Sequence, residues 1–154
     1  MQTFLPYGNY RRSAKVLDRP RLGKQRIENM TILKTNLLLK LNPMGSFPWY
    51  NHPATVMWYG YEISLYKYQL AICEEWLSRG YKDTCLGKTV DLLRQYADAQ
   101  GPALSNDRPP WLGNEQFHLS HRSNLLRKNP EHYGPIFGDI PDGLPYYWPS
   151  NEGN

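Results

Sequence analysis

At 154 residues, with 40% hydrophobic and 21% charged residues, the chain can bury one core and is too apolar for a disordered polymer. No apolar run reaches the ~18–20 residues that cross a bilayer, and the opening MQTFLPYGNY lacks the regions of a secretory signal. With only Cys73 and Cys85 there is neither a disulfide framework nor a four-cysteine zinc site, and a net charge of +4 favours an anionic partner. The expectation is one domain over residues 1–154, a monomer in the reducing cytoplasm, without a membrane partner.

Residues 1–10 read as an extended arm broken by Pro6 and Gly8. Seven cations, Arg11, Arg12, Lys15, Arg19, Arg21, Lys24 and Arg26, then fall within sixteen residues. Asp18 and Pro20 are start signals for a helix over 19–41. Its Leu22, Ile27, Met30, Leu33, Leu37 and Leu38 share one arc at 100° per residue. Arg21, Gln25 and Glu28, spaced by four and three, form a polar stripe on the opposite arc.

Residues 42–51 read as a loop. Pro53 suits the first turn of a second helix running to 79, where Gly80 stops it. Its Val56, Ile63, Leu70 and Leu77 recur every seven residues, a core-facing seam. A shorter helix is expected over 88–99 and a last one over 114–127, ended by Asn129-Pro130. That last segment adds a second basic group, Arg122, Arg127 and Lys128, and two separated basic segments can make one phosphate-binding surface. The tail from Tyr133 reads as a strap of Pro, Gly and aromatics. No strand alternation appears. The predicted fold is all-α: a bundle of three main helices and a short one, wrapped by loops and an aromatic tail.

Three stretches, in order, resemble the pyrimidine-dimer DNA glycosylase family typified by phage endonuclease V. The first is RLGKQRIE, residues 21–28, where the family's early helix carries a basic residue, a Leu and, seven residues after the basic one, a catalytic Glu. The second runs from His52 along the middle helix to the LSRGY of residues 77–81. The third is SHRSNLL, residues 120–126, followed by Pro130 and Tyr133. A longer bacterial branch is also similar, sharing LDRPRLGKQR, the NHP motif and SHRSNLLRK.

The resemblance implies a bifunctional glycosylase and abasic-site lyase acting on double-stranded DNA that carries a damaged pyrimidine. A neutral amine attacks C1′ and displaces the base. The resulting Schiff base acidifies the C2′ proton, and β-elimination cuts the strand. No cofactor or metal is implied. An α-amine, with a reference pKa of about 7.7–8.0, is far more often neutral than a lysine. The implied nucleophile is Met1, folded back to a catalytic Glu28 held by Arg21 and Gln25. Lys24, Arg26, His52, His118, His121 and Arg122 are the implied DNA contacts.

Departures from the prototype bear on substrate and on the lyase step. Gln2 stands where the prototype exposes a small threonine after methionine removal. Removal normally requires a small second residue, and an exposed terminal Gln tends to cyclise, so a retained Met1 is the expected nucleophile. Arg21 replaces a His, and the stretch before the helix is longer. Two alternatives stand beside the enzyme: a helical DNA- or RNA-binding module without chemistry, and an enzyme of another N-glycosidic bond. His52, His118 and His121 lack a recognised zinc spacing, so no metal is expected. Among the aromatics, Phe47, Trp49, Tyr50, Trp111 and the tail's Tyr146, Tyr147 and Trp148 can stack on bases. Packing is the expectation for Trp58, Trp76 and Trp148.

Overall fold

The computed structural model describes residues 1–149, so the last five residues of the expected strap lie outside the described residues. Three main helices and a short one are not what is found: the described residues form seven helices. They are α1 (Tyr10–Val16), α2 (Arg19–Leu41), α3 (Pro53–Trp58), α4 (Glu62–Ser78), α5 (Cys85–Asp98), α6 (Glu115–Lys128) and α7 (Pro130–Phe137). α2 packs against α3, α4 and α5, α1 lies on α4, and α7 on α6.

Local chemistry accounts for the extra helices. The predicted 53–79 helix divides because Gly60 adopts φ +91°, while the Glu62 carboxylate accepts the Gly60 N–H at 2.6 Å. That turn is anchored inside: Glu62 is fully buried, with Lys40 Nζ 3.5 Å away. Burial pushes the Glu62 carboxyl up from its ordinary pKa, against the Gly60 hydrogen bond and the Lys40 charge. α1 starts where Asn9 Oδ1 accepts the Arg12 N–H at 2.8 Å. α7 starts likewise, with Asn129 Oδ1 accepting the His132 N–H at 3.2 Å and Pro130 in the first turn. Asp18 does not cap α2 with its side chain. Its carboxylate instead accepts the Tyr133 hydroxyl, tying α7 to the start of α2.

The arc that α2 buries matches the predicted one in part: Leu22, Leu33 and Leu37 are buried, while Met30 and Leu38 are half-buried. Leu22, Gln25, Asn29, Ile32, Leu33 and Asn36 face inward, whereas Ile27 is 52% exposed. The buried arc is therefore turned toward the polar side, and Gln25 is not part of a solvated stripe. Glu28 and Arg21 sit at the rim of that arc, with side chains 18% and 19% exposed. What covers the polar residues is the N-terminal arm, whose Phe4 and Leu5 join the core with Trp58, Tyr68 and Phe117.

Candidate active site at the N-terminus

An extended segment inside a helical protein has no neighbouring strand to satisfy its backbone. Side chains from α2, α4 and α6 do so here, and one from α3 bonds the Thr3 side chain. Gln25 Oε1 accepts the Phe4 N–H at 3.0 Å, and Gln25 Nε2 donates to the Gln2 carbonyl and to Asn29 Oδ1, both at 2.9 Å. The Tyr68 hydroxyl donates to the Phe4 carbonyl. Trp58 Nε1 donates to Thr3 Oγ1 at 2.9 Å. His121 Nδ1 accepts the Leu5 N–H at 2.8 Å, and His118 Nδ1 lies 2.8 Å from the Leu5 carbonyl. Arg122 Nη1 donates to the Pro6 carbonyl at 2.7 Å.

The bonding partners assign both histidines as neutral. His118 carries its proton on Nδ1, because Nε2 accepts the Gly113 N–H at 2.9 Å. His121 carries its proton on Nε2. Burial drives the His121 pKa down to about 3, with a smaller push from His118. The His118 pKa is lowered as well, chiefly by burial. These two side chains are 2% and 0% exposed, so they clamp the arm from inside and do not face a ligand.

The arm brings the chain terminus to Glu28. The Gln2 N–H meets Glu28 Oε2 at 3.4 Å, and Arg21 Nη1 stands 3.8 Å from Glu28 Oε1 with its guanidinium over the Phe4 ring. Gln2 Oε1 is held by the Thr3 N–H at 2.9 Å. The Met1 ammonium makes no ion pair with Glu28 among the described residues; it is one residue beyond the nitrogen that does meet the carboxylate. Its charge nevertheless reaches His52, whose pKa is lowered first by burial and second by that amine. His52 caps α3 through Nδ1, which accepts the Ala54 N–H at 3.0 Å.

Aromatic rings enclose this corner. His52 lies edge-on to Trp49 at 5.8 Å and to Trp148 at 6.0 Å between ring centres. Trp148 and Tyr146 come from the tail, which α6 pins: the Leu144 N–H donates to Ser123 Oγ and Asn124 Nδ2 to the Leu144 carbonyl, both at 3.0 Å. Tyr146 packs on Phe4 and His121. Its pKa is raised by burial, with smaller influences from Arg21, Arg127 and Glu28.

The structure thus assembles Met1, Arg21, Gln25, Glu28 and His52 in one place, with Gln25 holding the arm and not exposed to a substrate. The other cations are dispersed. Lys24 is exposed on the outer face of α2. Arg26 is engaged inside, bonded to Asp83 at 2.5 Å and stacked on Trp76. Arg122 is held by Pro6 and by Glu115. Sequence reasoning missed Tyr68 as an arm partner and Asn29 as the support of Gln25; for the latter, the Gln25–Asn29 spacing of one helical turn was the available signal.

A family model described as pyrimidine dimer DNA glycosylase matches residues 1–89, which span the arm, α1 to α4 and the first turn of α5. No curated protein and no solved structure matches the chain.

Proposed function

Because the chain belongs to the pyrimidine dimer DNA glycosylase family, we propose that it excises a damaged pyrimidine from duplex DNA through its N-terminal amine and then cuts the strand. The observation that carries this reading is the arm folded back onto α2, with the Gln2 nitrogen 3.4 Å from the Glu28 carboxylate. Few termini are ordered unless something ties them down; this one is tied by buried hydrogen bonds that lead to a carboxylate at the protein rim. In the proposed reaction the neutral Met1 amine forms a bond to C1′ and the bond to the base breaks. Glu28 stabilises the cationic sugar and moves protons between the amine and the sugar. The C1′–O4′ bond then breaks, O4′ takes a proton and the opened sugar is held as a Schiff base, which loses its C2′ proton as the 3′ phosphate leaves by β-elimination.

Lys24 and Lys34 lie on either side of Glu28 along the outer half of α2 and are both exposed. Ten residues of helix separate them by ~15 Å. In this reading they take phosphates on either side of the lesion.

The test blocks the amine. An uncleaved N-terminal tag or an acetylated terminus is expected to abolish the borohydride-trapped adduct with abasic DNA while leaving DNA binding largely intact. A trapped adduct from the blocked protein would transfer the nucleophile to a lysine, with Lys24 the first to test.

A further inference from the structure

A groove of about 350 Å³ lies between the first turns of α2 and the end of α4, lined by Arg19, Pro20, Gly23, Lys24, Ile27 and Trp76, with Arg26 alongside. Its apolar part is Pro20, the Gly23 backbone, Ile27 and the Trp76 indole. A Cβ at Gly23 would stand 3.1 Å from Trp76 Cη2, so the ring packs directly on the α2 backbone. Ile27 is the exposed apolar side chain of α2 noted above, and it borders this slot.

The indole is held in place before anything binds. Trp76 Nε1 donates to the Lys82 carbonyl at 2.8 Å, the Arg26 guanidinium lies 4.4 Å over the ring, and the Tyr81 ring centre is also 4.4 Å away. A wall that is already ordered lowers the entropic cost of docking a ligand against it. With a guanidinium and a ring both this close, little of the indole face is left for a base to stack on. The groove offers its apolar surface to a side chain instead.

Charge identifies the occupant. The carboxylates of this region are engaged elsewhere: Asp83 with Arg26 at 2.5 Å, Glu75 with Arg79 at 3.0 Å, Glu28 with Arg21 at 3.8 Å, and Asp18 with the Tyr133 hydroxyl. Arg19 and Lys24 are both exposed, and among the described residues neither has an ion pair or hydrogen bond; Arg19 lies only over the Tyr81 ring, at 5.2 Å. Two unneutralised cations beside an apolar slot complement an acidic segment that carries an apolar side chain. The side chain fills the slot and the charges guide the encounter and set its specificity. A paired duplex presents phosphates but no apolar group to fill the slot, whereas a peptide presents both.

We propose that this groove docks an acidic peptide segment of a protein partner, with one bulky apolar side chain against Ile27 and Trp76 and carboxylates on Arg19 and Lys24. The inference goes beyond the amine chemistry and does not depend on it. The probes are an end-blocked hexapeptide of four aspartates and two leucines, the same peptide with alanines for the leucines, the same with lysines for the aspartates, and a paired DNA duplex, each added up to millimolar concentration. The aspartate–leucine peptide is expected to shift the Trp76 indole N–H resonance saturably, and the lysine peptide to leave it in place. The alanine peptide is expected to bind at least about 4-fold more weakly, the worth of one buried methylene. Ile27→Ser is expected to weaken the aspartate–leucine peptide by that factor or more, and Arg19→Ala by roughly 2–5-fold, an effect that added salt reproduces. Both positions are exposed, so thermal melts at the parental temperature are expected for both variants, and Lys24, which the DNA reading also uses, stays unchanged. The proposal is overturned if the aspartate–leucine peptide gives no saturable shift, if Ile27→Ser leaves its affinity unchanged, or if the alanine peptide binds as well. A duplex that shifts Trp76 as strongly as the peptide makes the groove a DNA contact and overturns the proposal too. Adduct trapping on abasic DNA reports the amine chemistry separately: peptide binding without trapping removes that chemistry alone, and trapping without peptide binding removes this proposal alone.

Discussion

Glu28 meets two contrary neighbours, a peptide N–H on one oxygen and a guanidinium near the other. Glu28→Gln preserves the shape and an acceptor for the Gln2 N–H, so the melting temperature is expected to stay close to that of the parent. Strand cleavage is expected to fall by about 10²–10⁴-fold, the scale of a lost acid–base group; cleavage at the parental rate by the folded variant would exclude Glu28 from the chemistry. His121 gives a different kind of test. Its folded pKa of about 3 lies below the 6.5 of a free histidine, so the unfolded chain binds a proton between those values and the folded chain does not. Stability is therefore full above about pH 6.5 and falls as pH drops through that window, by about 1.4 kcal/mol per unit for one histidine. His118, lowered in the same direction, adds to the slope. His121→Asn keeps an acceptor near the Leu5 N–H without the titration. Its melting temperature is expected to be lower at pH 7 and to change less steeply down to pH 4.

At the scale of elements, the break between α3 and α4 depends on one backbone angle. Nothing lies within 4 Å of a Cβ built at Gly60, so Gly60→Ala tests conformation without a clash. It is expected to cost about 1–2 kcal/mol in denaturant unfolding, because φ +91° suits glycine alone. That break was hard to read in the sequence, where Val56, Ile63, Leu70 and Leu77 keep a seven-residue repeat across it. In the structure Val56 and Leu77 are 42% and 48% exposed, so the repeat is not a buried seam. The ends of α2 were legible because Pro20 and the apolar spacing act locally, and α6 because Asn114 caps it through the Phe117 N–H. α1 and α7 have equally local Asn caps, Asn9 and Asn129, but α1 follows the arm in a stretch for which no element was predicted, and most of α7 falls in the strap read from Tyr133. For the site, the Glu28–Arg21 pair was visible as a seven-residue spacing. The burial of Gln25, His118 and His121 was not, because their partners are backbone groups far away in the chain.

For the molecule as a whole, a count of basic residues overstates what is available to a polyanion. Arg26, Arg79 and Arg122 are spent on internal contacts, whereas Lys24 and Lys34 project from the outer face of α2. Alanine at Lys24 or at Lys34 is expected to weaken DNA binding and to lower the slope of log affinity against log salt by about one unit per lost phosphate contact. Arg122→Ala is expected to register first as a lower melting temperature, since it removes a hydrogen bond to the arm and leaves the Pro6 carbonyl without that partner. Fluorescence anisotropy across a salt series, beside thermal melts, separates the two kinds of arginine and lysine.

The clamp on the arm has a further consequence for how the protein is made. Leu5 and His121 are 116 residues apart, so the α6 side of the clamp cannot close until 116 residues after Leu5 have been made, although Gln25 and Tyr68 can hold Phe4 earlier. At about 5–20 residues per second that interval is roughly 6–23 s. For those seconds residues 2–5 lack their α6 partners; once α6 has formed, Gln2 to Leu5 are buried. Any enzyme that trims the arm beyond Met1 is therefore expected to act before α6 docks on Leu5.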